Sequence, residues 1–61
     1  MFKLQIETGN ASFRDEDGNL DETGCEIRRL LTNVKTQIEY GYHSGILIDI
    51  NGNKVGSWSY D

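Results

Sequence analysis

Asn51–Gly52 stands between two apolar runs, "GILIDI" (45–50) and "NKVGSWSY" (53–60). An Asn-Gly pair flanked by alternating apolar residues is the strongest short-range hairpin signal, because both central residues of a tight hairpin turn must accept positive φ. Residues 45–60 are therefore expected to form an antiparallel hairpin. A two-residue loop sets Asp49 opposite Lys54 and Ile48 opposite Val55. A three-residue loop with a bulge is the other register the sequence allows. Ile46, Ile48 and Ile50 fall on one face, and Leu47 and Asp49 on the other. Trp58 and Tyr60 join Leu47 unless Gly56 makes a bulge, which a strand glycine often does.

Two further elements precede the hairpin. "FKLQIET" (2–8) alternates Phe2, Leu4 and Ile6 with Lys3, Gln5 and Glu7, the period of a strand with one buried face. Ile27, Leu30, Leu31, Val34 and Ile38 recur at helical spacing and predict an amphipathic helix over 24–40. Thr23 and Glu26 have capping-box spacing. Gly41 fits the left-handed position that ends a helix. The fold class is therefore α+β, in the order β-α-β-β: one helix packed on a three-stranded, mainly antiparallel sheet. Placing the last strand in the middle makes every pair antiparallel, the commoner pairing. The helix covers only one face, so apolar residues of the hairpin should remain exposed on the other, where they mark a partner or self-association surface.

The 61 residues make a single domain, 1–61, of a size that buries only about 60% of the surface its unfolded chain exposes. One core of this size supplies roughly 3–5 kcal/mol. A single cysteine excludes an internal disulfide, and one cysteine with one histidine is too few for a tetrahedral zinc site. A homodimer is the staple that remains. No run approaches the ~20 apolar residues of a membrane span. The lone thiol and the lack of a secretory leader predict the cytoplasm. The net charge of −4 disfavours direct nucleic-acid binding, which draws on Lys and Arg to displace counterions. It suits a basic protein surface instead.

"DEDGNLDETGCE" (15–26) carries six carboxylates and no base, within a connection (9–22) long enough to be functional or mobile. Counted as a calcium loop from Asp15, it offers oxygen donors at Asp17, Asn19, Thr23 and Glu26. Leu20 then occupies the position that needs glycine, and Glu22 a position that is normally apolar. A calcium or small-molecule site at a subunit interface is the alternative reading; the leading one is an acidic patch that docks on a basic partner. Asp15, Glu16, Asp17, Asp21 and Glu22 are its expected charges, with Trp58 and Tyr60 as aromatic anchors, since Trp and Tyr are enriched at interface hot spots. Enzymatic chemistry is not expected. Cys25 and His43 lie at opposite ends of the helix, roughly 25 Å apart. His43 and Ser44 are strand neighbours whose side chains diverge, which breaks a triad with Asp49. No catalytic residue, metal ligand set or cofactor site is predicted.

The tail, "SGILIDINGNKVGSWSY", resembles the closing segment of a family of small uncharacterised bacteriophage and prophage proteins with the pattern SG-x-L-x-D-x-NGN-x-VG-x-W. Ser44, Gly45, Leu47, Asp49, Asn51, Gly52, Asn53, Val55, Gly56 and Trp58 carry it. "FKLQIETGNASF" and "EIRRLLTNVKTQIE" resemble the same family's opening and helix, and 14–23 its variable part. The resemblance brings no catalytic residues. It implies a modulator of a host protein, of the kind that blocks defence or nucleic-acid-binding machinery by occupying a basic surface.

Overall fold

A computed structural model describes all of residues 1–61. Strand β1 (Lys3–Ile6) is followed by a 3-10 turn (Ala11–Phe13), helix α1 (Cys25–Glu39), and strands β2 (Ser44–Ile48) and β3 (Lys54–Ser59). The sheet order is β1-β3-β2, and both pairings are antiparallel. The last strand thus takes the centre, as the preference for antiparallel neighbours predicts. One helix covers one face of the sheet.

The helix ends as its glycine predicts and begins differently. Gly41 has φ 93°. The Gly41 N–H donates to the Ile38 carbonyl and the Tyr42 N–H to that of Gln37, a Schellman pair that satisfies two carbonyls the helix leaves open. At the other end the expected capping box does not form. Gly24, with φ 65°, takes the cap position without a side-chain bond. The Thr23 hydroxyl donates to Asp21 at 2.7 Å. Glu26, only 7% exposed, folds down onto the hairpin, where its Oε2 accepts the Ile50 N–H at 2.8 Å.

The core is Phe13, Leu30, Val34, Leu47, Val55 and Trp58, with Leu4, Ile6, Ile27, Ile38 and Tyr60 packed around it. Leu30 and Val34 centre the helix stripe. Leu31, one step and about 100° round the helix from Leu30, falls off its edge and is 44% exposed. Trp58 crosses from β3 to the helix and donates its indole N–H to Gln37 Oε1 at 2.7 Å. Gly45 lies directly beneath this bond: a Cβ there would sit 2.7 Å from the indole nitrogen and collide with the Gln37 oxygen. At Gly56 a Cβ would strike the backbone carbonyl of Gln5, so this glycine sets how closely β1 and β3 approach.

The hairpin corrects the two-residue reading. Asn51 does not have positive φ; only Gly52 does, at 87°. Asp49 N–H donates to the Asn53 carbonyl and Gly52 N–H to that of Asp49, which is the three-residue loop closed by a left-handed glycine. Asp49 therefore faces Asn53, and Ile48 faces Lys54 instead of Val55. The ladder then shifts between Ile48 and Leu47, leaving Val55, not Gly56, as the extra residue. The bulge cancels the displacement made at the turn, so Leu47 still faces Gly56 and Gly45 faces Trp58. The side-chain period is two, so this cancellation is what returns Leu47 and Trp58 to the same buried face.

Candidate functional site

The long connection between β1 and α1 is folded. Phe13 enters the core at the end of the 3-10 turn. Arg14 and Leu20 bridge as a two-residue antiparallel pair. Between them, "DEDGN" (15–19) makes the same turn as "DINGN" (49–53). In the first, Asp15 N–H donates to the Asn19 carbonyl and Gly18 N–H to that of Asp15, while Asp15 Oδ1 accepts the amides of Asp17 and Asn19, each at 2.9 Å. In the second, Asp49 Oδ1 accepts those of Asn51 and Asn53 at 3.0 and 2.8 Å. The pattern D-x-[D/N]-G-N builds both: Asp fastens the backbone amides, and Gly supplies the positive φ, 84° at Gly18 and 87° at Gly52.

The second turn is also the clasp of the fold. Asp49 is 4% exposed, and its Oδ2 accepts from Asn10 at 2.8 Å and from the Ser12 hydroxyl at 3.1 Å. These bonds tie the 3-10 turn to the hairpin. The Asn53 amide, followed by the side chains of Asn53, Ser12 and Asn10, holds the Asp49 carboxyl below its usual range against the opposing effect of burial. Glu26 is lowered by its bond to Arg29 first and by the Ile50 amide as well. Arg29 is raised by the same pair, and it also donates to the Ile48 carbonyl at 3.0 Å. Asp21 is lowered, chiefly by the Thr23 hydroxyl.

Chain direction sets both turns at one end of the molecule, with the start of α1 and the end of β1. Every acid except Glu39 and Asp61 lies there, and every base except Lys3 and Lys35. Eight of the ten acids thus face four of the six bases, and this end carries the whole net charge of −4. Of the five acids predicted to bind, Asp15 and Asp21 are engaged in holding their own turns. Glu16, Asp17 and Glu22 are exposed, and their carboxylates point outward as free charges.

The two predicted aromatic anchors do not join them. Trp58 is 2% exposed, fills the core and is committed to Gln37, so it is corrected from anchor to core residue. Tyr60 is half-buried and stacks on Trp58 at 6.1 Å and against His43 at 5.2 Å. Its amide pairs with the His43 carbonyl, at the far end of the helix. The 15 residues of α1 put about 22 Å between the aromatics and the acidic end. The seven predicted residues therefore make two separate regions. Cys25 and His43 lie at opposite ends of the helix, and β2 separates His43 from Asp49.

The calcium numbering fails in space as well. Asp15 Oδ1 is spent on its own turn, Thr23 bonds to Asp21, and Glu26 turns to Arg29 and Ile50. No three His, Cys, Asp or Glu side chains converge in the way a metal ion requires. No helix is long and apolar enough to cross a membrane. No protein family, curated protein or solved structure matches the chain.

Sequence reading gave Glu26 a capping role that it does not take and assigned no structural role to the side chains of Gln37 and Asp49. Signals for two of them are present. Glu26 precedes Leu30 by four residues and so shares its buried helix face. Asp49 precedes Gly52 by the same three residues that separate Asp15 from Gly18.

Proposed function

We propose that this chain is a small acidic binding protein of the phage type, which modulates a host protein by occupying a basic surface with the end that carries its two matched turns. The observation that supports this reading is the confinement of the net charge to one end of the molecule, on a fastened turn. Ordering a loose loop on binding costs conformational entropy; a turn already held by Asp15, Gly18 and Asn19 avoids most of that cost. Clustered charge steers a basic partner at long range and makes association salt-sensitive. Glu16, Asp17 and Glu22 are the charges free to act. Asp15 and Asp21 act one step back, by holding the shape.

The test is a capture from bacterial lysate with the wild-type chain and with Glu16→Gln/Asp17→Asn/Glu22→Gln. Asn already occupies the position of Asp17 in the sister turn, so the variant keeps the fold, which its circular dichroism checks. The expected outcome is a basic protein retained by the wild type, released by salt and lost by the variant. Equal retention by both chains overturns the reading.

A further inference from the structure

β2 is an edge strand. Its two ends are fixed by the Asp49–Asn53 and His43–Tyr60 backbone bonds. Antiparallel alternation between them turns the amides and carbonyls of Gly45 and Leu47 toward β3, and those of Ser44, Ile46 and Ile48 outward. Only the Ile48 carbonyl meets another group, Arg29, and it keeps a second lone pair. The segment is "SGILI", with no charge and no proline. Ile46, 52% exposed, and Ile48 stand on the uncovered face. Natural edges are normally guarded by charge, proline or a bulge. The opposite edge, β1, is guarded: Lys3 and Gln5 occupy the same open face, and Glu7 follows directly.

We infer that β2 pairs with β2 of a second copy, antiparallel about a two-fold axis at Ile46, to give a six-stranded sheet. Three observations favour a second copy over a foreign strand. The strand is self-complementary in this arrangement: Ile46 exchanges both backbone bonds with its own equivalent, and Ser44 pairs with Ile48. Charge agrees. Antiparallel pairing sends the two acidic ends to opposite ends of the dimer, separated by more than the ~8 Å Debye length at physiological salt, whereas parallel pairing would set them side by side. Edge asymmetry agrees too. One open and one guarded edge give a closed dimer, while two open edges would give a fibre. The inference does not depend on what the acidic end binds.

Sedimentation equilibrium of the wild-type chain is expected to give twice its 6.9 kDa mass. Ile46→Lys, which places a charge on the axis, is expected to give the single-chain mass. Amide exchange on the wild type reads the seam directly. The Ile46 N–H should be protected at high concentration and exposed on dilution, while the Leu47 N–H, bonded within the chain, stays protected throughout. A wild-type monomer at millimolar concentration overturns the inference, and so does a dimer whose Ile46 amide exchanges freely or that survives Ile46→Lys. If Ile46→Lys fails to fold, the exchange measurement on the wild type decides alone.

Discussion

Gly45→Ala tests whether the Trp58–Gln37 bond is packed as tightly as the structure indicates. The new methyl would lie 2.7 Å from the indole nitrogen and closer still to the Gln37 amide oxygen. These two atoms are bonded to each other across the glycine, so neither can yield without breaking that bond. Overpacking a core site costs about 1–3 kcal/mol. Stranding a buried indole N–H adds about 1–3 kcal/mol. Against this, removing a glycine restricts the unfolded chain and returns roughly 0.4–1 kcal/mol. The middle of these ranges is a loss of about 3 kcal/mol, most of the roughly 3–5 kcal/mol that one small core supplies. Urea unfolding followed by the fluorescence of the single tryptophan reads this directly. With a slope of about 1 kcal/mol per molar, the midpoint should fall by roughly 3 M or the chain should be unfolded in buffer. Gln37→Ala removes half of the collision, so the double variant should lose less than the sum of the two singles. An alanine variant with the wild-type midpoint, or strict additivity in the cycle, refutes the reasoning.

Acid should loosen the fold through Glu26 and Asp49. Both carboxyls are held below their ordinary values in the folded chain. Their contribution is therefore fully present above the unfolded carboxylate pKa of about 4 and is lost as pH falls through the lower folded values. Urea midpoints at neutral and acidic pH check this, and Asp49→Asn should flatten the fall; an acid-independent midpoint in the wild type contradicts it. Gly56→Ala should prevent β1 from pairing, since the methyl meets the Gln5 carbonyl. The circular dichroism of that variant should show lost sheet, and a native spectrum would refute the close approach. Millimolar calcium should leave the amide shifts of 15–26 unchanged, because Glu26 is turned to Arg29 and Ile50, Thr23 to Asp21, and no three acidic side chains converge there; saturable movement there would refute that account.

The elements of this fold were legible because each rests on a local rule. Alternation marks β1, the 3.6-residue stripe marks α1, and Gly41 stops it. The order of the strands followed from a preference for antiparallel neighbours. The turn was harder, because Asn-Gly serves both a two-residue loop and a three-residue one, and Asp49 decides between them. Its carboxylate fastens the amides of Asn51 and Asn53, a geometry that requires the longer loop. Trp58 was misread as an anchor because composition alone does not say whether an aromatic finds a partner for its N–H inside. Gln37 is that partner, 21 residues away in sequence, and no local rule joins them. The acidic stretch was read by its charge, while its conformation is set by the Asp15 carboxylate fastening the amides of Asp17 and Asn19 and by the positive φ of Gly18.

The paired pentapeptides leave one consequence for how such a chain can diversify. Asp, Gly and Asn recur in each, while the second and third residues differ between the copies, and the second is the one whose chemistry changes most. In one copy that residue is Glu16 and in the other it is Ile50, which is 72% exposed. A single scaffold therefore presents two fingertips of the same backbone cut, one charged and one greasy, at one end of the molecule.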